Sequence, residues 1–126
     1  MDAAQALADL TEISSQIESA VLVDAAGGVL GSTLEDESRS QRIAEAALRL
    51  LDQAGQAERA PVQLEAATPA GSVFVVRDAE RTIVATTGPE PTVGLVFYDL
   101  KSCLRSVDEP KPKPKRSRKK ATDAEA

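Results

Sequence analysis

The sequence predicts an α+β fold in which an antiparallel sheet carries helices on both of its faces. Three observations lead to this prediction. Apolar residues recur at helical spacing in three separate segments. Five short segments are rich in β-branched residues or alternate in polarity. Turns that contain Gly, Asp or Pro separate neighbouring strand segments. The predicted order is helix, two strands, helix, three strands, helix.

The first part of the chain is predicted to be a helix that leads into a β-hairpin. Residues 2–18 carry apolar side chains every three or four positions, and Asp2 can cap this helix. The next strand, 20–23, is apolar at consecutive positions, which indicates that both of its faces are covered. A turn through Gly27 and Gly28 returns the chain as a second strand over 29–33.

The central helix is predicted over residues 37–55. Ser38 with Gln41 fits a capping box, Asp36 is a competing cap, and Gly55 stands at the C-cap position. Apolar residues cover roughly half of the helix circumference, whereas one packing surface needs a stripe of ~100°. This width predicts packing against both the chain's own core and a second copy. The alternative is a helix that is merely well buried in a monomer.

Three strands and a last helix follow. Residues 61–68 alternate in polarity and begin with a proline, which indicates an edge strand. Residues 72–77 and 81–87 are apolar and β-branched, as interior strands are. The segment 92–107 fits both periodicities at its start, but helical spacing accounts for more of its apolar residues and persists to its end.

Composition predicts one folded domain over residues 1–109 and a disordered basic tail over 110–126. The 126 residues are 42% apolar and carry a formal charge of −5. The tail holds seven cations and two acids, a net charge of +5, so the rest of the chain carries −10. Its prolines disfavour helix, and it has little to bury. The cations that could bind nucleic acid or an anionic membrane are Lys111, Lys113, Lys115, Arg116, Arg118, Lys119 and Lys120.

The residue inventory excludes several kinds of active site. Because the chain has no histidine, one chain cannot form a Ser-His-Asp triad, a Cys-His pair or a histidine-ligated zinc site. The sequence holds no phosphate-binding GxxxxGK[ST] loop, and Cys103 is expected to fill the core. We therefore expect a protein that is not an enzyme and takes no cofactor, metal or small-molecule substrate. A single cysteine and the lack of a signal-peptide pattern or apolar span favour a cytoplasmic protein.

Two stretches carry a family resemblance: ALADLTEISSQIESAVLVDAAGGVLGST, and TVGLVFYDLKSCLRSV near the end. Together with the order of elements, they resemble the Roadblock/dynein light chain domain family over residues 5–107, and its bacterial MglB-like members in particular. The resemblance implies a five-stranded profilin/longin-like sandwich with strand order 2-1-5-4-3. It also implies that the first and last helices cover one face and the central helix covers the other.

The resemblance further implies a homodimer that pairs the third strand and the central helix across a two-fold axis, and a non-catalytic scaffold or regulator of a small Ras-like GTPase. The implied dimer residues are Ile43, Ala44, Ala47, Leu48, Leu51, Val62 and Leu64. The residues that could face the GTPase are Arg42, Glu45, Arg49 and Asp52. Two alternatives remain open at this point. The chain could bind nucleic acid or an anionic surface through its tail, or it could be a purely structural oligomer.

Overall fold

The computed structural model describes residues 2–54, 63–78 and 80–107. Within these ranges the elements are α1 (Ala3–Ile13), β1 (Ile17–Val23), β2 (Val29–Ser32), α2 (Glu37–Ala54), β3 (Gln63–Thr68), β4 (Gly71–Asp78), β5 (Arg81–Thr87) and α3 (Val93–Ser106). The strands form one antiparallel sheet in the order β2-β1-β5-β4-β3. The predicted fold class and the implied strand order are confirmed.

Two apolar layers hold the sheet between the helices. Consecutive residues of β1 enter opposite layers, because side chains alternate along a strand. Leu22 packs under α1 and α3, and Val21 packs under α2. On the α1/α3 side, Phe74 meets Phe97 edge to face, with ring centroids 5.0 Å apart. The apolar runs at 20–23, 72–77 and 81–87 therefore belong to strands that are covered on both faces.

The first helix is shorter than the sequence predicts. It starts as expected, because the backbone N–H of Gln5 donates to Asp2 Oδ1 at 2.8 Å. It ends at Ile13 rather than at residue 18, since the backbone at Ser14 is already extended. Ile17 is buried as the first residue of β1, whereas Ile13 is 73% exposed. The helical spacing of these two isoleucines therefore spans the break between two elements.

The central helix begins at Glu37, as predicted, and Asp36 is its cap. The backbone N–H of Arg39 donates to Asp36 Oδ1 at 3.1 Å. The predicted capping box is wrong, because Ser38 already lies inside the helix and the Gln41 amide donates to the Gly27 carbonyl instead, at 3.4 Å. Gly55, predicted as the C-cap, lies outside the described residues.

The last four elements agree with the sequence prediction. β3 pairs with β4 and occupies an edge of the sheet, so its assignment as an edge strand is confirmed. Its predicted start at residues 61 and 62 lies outside the described residues. The ambiguous segment 92–107 is helical as α3.

Candidate functional site: a bare edge strand beside the central helix

The edge strand β3 is largely exposed to solvent. Every residue of β3 is exposed except Leu64, which is half-buried. Among the described residues, only β4 pairs with β3, so the backbone groups on the outer side of β3 have no strand partner. Such an edge is a template for pairing with another chain.

The two faces of β3 differ in polarity. Leu64 stands opposite Val75, and Ala66 stands opposite Val73. Directly opposed residues share a face of the sheet, and Val75 belongs to the apolar layer under α2. Leu64 and Ala66 therefore lie on the α2 side. Glu65, opposite Phe74, lies on the α1/α3 side. The strand thus has an apolar side toward α2 and a polar side away from it.

The two flanks of α2 also differ. The flank that carries Leu48 faces the turn between β1 and β2. Leu48 Cδ1 is so close to Gly27 in this turn that a Cβ added to the glycine would lie 3.3 Å from it. The contact from Gln41 to the Gly27 carbonyl is on this same flank. At 100° per residue, Ile43, Ala46 and Leu50 fall on the opposite flank. Leu50 is 38% exposed, Ala46 is exposed and Ile43 is half-buried.

Part of the apolar arc of α2 is used within the chain. Ala44, Ala47 and Leu51 are buried against the chain's own sheet and offer no surface to a partner. Of the other residues implied for the dimer, Ile43, Leu48 and Leu64 are half-buried and Val62 lies outside the described residues. The dimer residues implied at the sequence level do not include Ala46 or Leu50. The position of Leu50 beside Ile43 on the helical wheel could have indicated that Leu50 belongs with them.

The outer face of α2 carries the charged residues that the sequence singles out. All four of them are exposed: Arg42, Glu45, Arg49 and Asp52. Glu45 Oε2 accepts a hydrogen bond from the Gln41 side chain at 3.4 Å. The basic residues predicted to bind polyanions, Lys111–Lys120, lie outside the described residues, and their role stays a prediction.

The described residues include one thiol and no cluster of metal-ligating side chains. They include no group of three or more His, Cys, Asp or Glu that could hold a metal ion. The Cys103 thiol is buried on α3 and donates to the Ala6 carbonyl at 3.6 Å. Burial, with a further contribution from the Asp9 carboxylate, raises the pKa of this thiol to about 11. The thiol is therefore protonated near neutral pH, and a protonated thiol is a poor nucleophile. None of the helices in the described ranges is long and apolar enough to cross a membrane.

Comparison with known proteins identifies the fold. No protein-family model and no curated protein matches the chain. A Roadblock/LC7 domain from Streptomyces avermitilis matches with a TM-score of 0.75 at 18% identity, over 84% of this chain and 94% of that one. Myxococcus xanthus MglB matches with a TM-score of 0.68 at 15% identity, over 80% of each chain.

A third solved structure extends the likeness to the profilins. Acanthamoeba castellanii profilin IA matches with a TM-score of 0.54 at 9% identity, over 78% of this chain and 90% of that one. At these identities the likeness is one of fold. The chain therefore has the fold of Roadblock/LC7 domains and of MglB, which confirms for the fold the resemblance drawn from its sequence.

Proposed function

We propose that this chain is a Roadblock-family protein that forms a homodimer and serves, without a catalytic site of its own, as a cytoplasmic scaffold or regulator of a small Ras-like GTPase. The observation that carries the proposal is the bare β3 edge with its apolar side next to α2. The shared fold with MglB supports it.

The dimer is proposed to form by antiparallel pairing of β3 with the β3 of a second copy about a two-fold axis. An isologous interface uses the same patch twice, and pairing hides the exposed backbone groups of the edge. The apolar side of β3 at Leu64 and Ala66 then needs a cover. The flank of α2 that carries Ala46 and Leu50 supplies this cover from the partner, and the polar side of β3 stays in water.

A matched pair of variants tests this interface. Leu50 and Leu30 are similarly exposed, at 38% and 40%, but Leu30 lies on β2 at the opposite edge of the sheet. We expect Leu50→Arg to give a folded monomer, because an unpaired charge in an apolar interface must be desolvated. Leu30→Arg should keep the dimer mass. Multi-angle light scattering reports the mass, and far-UV circular dichroism reports the fold. A dimer mass for Leu50→Arg would remove this flank of α2 from the interface.

The GTPase is proposed to dock on the charged outer face of α2. The purified chain is tested for binding to small Ras-like GTPases loaded with GDP or with a non-hydrolysable GTP analogue. We expect binding that depends on the nucleotide, and a changed rate of GTP hydrolysis. Arg42→Glu with Arg49→Glu should weaken this binding while the dimer mass is retained. Arg105→Glu, at an exposed position on α3, is the control.

The results separate the two parts of the proposal. If Arg42→Glu with Arg49→Glu binds as the wild type does, the docking site does not lie on this face of α2. If a dimeric protein binds no GTPase in any nucleotide state, the regulatory role is refuted while the dimer stands. The chain would then be a structural oligomer.

A further inference from the structure

A groove runs between α1 and α3, on the side of the sheet opposite α2. Its volume is about 330 Å³, and its lining includes Asp9, Leu10, Ile13, Tyr98, Asp99 and Cys103. Two large side chains of this lining are open to solvent, with Ile13 73% exposed and Tyr98 66% exposed. The groove is therefore apolar along its walls and carries two carboxylates.

The two carboxylates differ in their exposure to solvent. Asp99 is only 8% exposed as a residue. Its carboxylate oxygens still reach solvent, because Ser14 Oγ is the one buried side-chain oxygen or nitrogen without a partner among the described residues. A cation that docks beside a partly buried carboxylate is screened less by salt than a pair at an open surface. Asp9, the second carboxylate, accepts one hydrogen bond from the Gln5 side chain at 3.0 Å. The groove lining therefore contains two carboxylates and no Lys or Arg side chain.

We propose that this groove binds the basic segment of the same chain that follows α3, residues 108–126, and that lysines of its KPKPK run pair with Asp9 and Asp99. The charges are complementary, since the segment from Pro110 onward carries a net +5 and the rest of the chain −10. The proposal does not depend on the dimer or on the GTPase, because the groove lies on the other face of the sheet from α2.

The segment leaves the fold at the end of the groove and is long enough to reach Asp99. Ser106, at the end of α3, lines the groove, and the Arg81 guanidinium donates to the Val107 carbonyl at 3.1 Å. Val107 lies eight positions beyond Asp99, which corresponds to about 12 Å along the axis of α3. Lys111 lies four residues beyond Val107, which is also about 12 Å in polyproline II conformation. A segment that doubles back along α3 therefore brings Lys111 level with Asp99.

The groove walls also suit the composition of the segment. Prolines at positions 110, 112 and 114 alternate with lysines. Such sequences adopt polyproline II without internal hydrogen bonds, and aromatic-lined grooves bind them. The exposed Tyr98 ring offers an aromatic surface to the prolines. Ile13 offers an apolar surface to the aliphatic stems of the lysines, which bury their methylenes and keep the ammonium groups near the carboxylates.

Carbodiimide coupling of the full chain tests the proposal, because the reagent joins an ammonium group and a carboxylate that are in contact. We expect Lys111, Lys113 or Lys115 to couple to Asp9 or Asp99, as mapped by mass spectrometry. The double change Asp9→Asn with Asp99→Asn should abolish these products. Glu12→Gln is the matched control, because Glu12 is an exposed acid on α1 outside the groove lining, and it should leave them in place.

Two conditions sharpen the coupling experiment. Raising the salt from 0.1 M to 1 M shortens the Debye length from about 10 Å to about 3 Å and should reduce the yield. A mixture of ¹⁵N-labelled and unlabelled chains distinguishes coupling within one chain from coupling between chains. Products of mixed isotope would show that the segment of a second copy fills the groove, which overturns the proposal. Coupling spread equally over Glu12, Glu18 and the groove acids would also overturn it.

A second measurement needs no coupling chemistry. In ¹H–¹⁵N spectra of the full chain, neutralising the run with Lys111→Gln, Lys113→Gln and Lys115→Gln should shift the amide signals of residues 98–106. The amide signals of β3, which lies at the sheet edge, should stay in place. Unchanged signals along α3 would contradict the proposal even if the coupling experiment gave products.

Discussion

Replacing Ala47 with arginine distinguishes a helix face that packs on its own sheet from one that packs on a partner. Ala47 is 4% exposed and belongs to the apolar layer that includes Val21, Val75 and Val84. An arginine there has no room without displacing this layer. Its guanidinium must also lose its water or force the helix away from the sheet. We therefore expect Ala47→Arg to destabilise the domain itself.

The magnitude follows from two effects. Overpacking a well-packed core costs about 1–3 kcal/mol, and an uncompensated buried charge costs about 3–5 kcal/mol. The sum, about 4–8 kcal/mol, approaches the whole free energy of unfolding of a small domain, about 5–15 kcal/mol. In urea, with a slope of about 1–3 kcal/mol/M, even the lower value moves the unfolding midpoint by more than about 1 M.

Urea denaturation followed by far-UV circular dichroism is the assay for this change. Ala8→Arg is the control, because Ala8 lies in the middle of α1, is exposed, and receives the same substitution. It should shift the free energy of unfolding by no more than about 0.5 kcal/mol. A fully folded Ala47→Arg monomer with an unchanged midpoint would refute the placement of Ala47 against the sheet.

Three further predictions concern single residues outside the interface. Asp24→Ala should lower the free energy of unfolding by about 1–3 kcal/mol in urea denaturation. The reason is that Asp24 Oδ1 accepts hydrogen bonds from the backbone N–H groups of Ala26 and Gly28, at 2.9 and 2.8 Å. Asp24→Asn should lower the free energy of unfolding by less. Gly71→Ala should lower the melting temperature, since its Cβ would collide with the Thr87 carbonyl oxygen, whereas Gly94→Ala meets open space and should not. Alkylation of Cys103 in the folded chain should be slow near pH 7 and rise toward pH 11, because the pKa of the thiol is raised from 9.0 to about 11. Since the folded state favours the protonated thiol, its contribution to stability is complete below pH 9 and is lost as the pH rises toward 11.

Local signals were sufficient for most of the elements. The interior strands show consecutive apolar residues because both faces of the sheet are covered, and α3 keeps its helical spacing through Val96, Leu100 and Leu104. The end of α1 could not be placed, because Ile17 continues the helical spacing by coincidence while it serves a strand. The sequence could not decide between Asp36 and Ser38 as the cap of α2, because both residue types are suitable caps. The backbone decides it, since the helix begins at Glu37 and Asp36 is the residue just outside it.

The candidate site was harder to predict than the fold. A wide apolar arc on α2 indicates two packing surfaces, but the sequence does not show which side chains the chain's own sheet covers. Ala47 and Leu51 are buried against the chain's own sheet, whereas Leu50, on the same apolar arc, is exposed. The groove acid Asp99 was missed, although an acid three residues from Val96 and four from Cys103 stands out on an otherwise apolar face. Its position in the groove depends on how α1 and α3 pack, which spacing alone does not reveal.

The mass of the wild-type chain in solution shows whether β3 pairs with the β3 of a second copy. Size-exclusion chromatography with multi-angle light scattering is performed at micromolar concentrations. We expect twice the chain mass of 13.3 kDa, held over a dilution series. A wild-type protein that has the mass of a single chain throughout this range would contradict it, and the exposed edge of β3 would then require another partner.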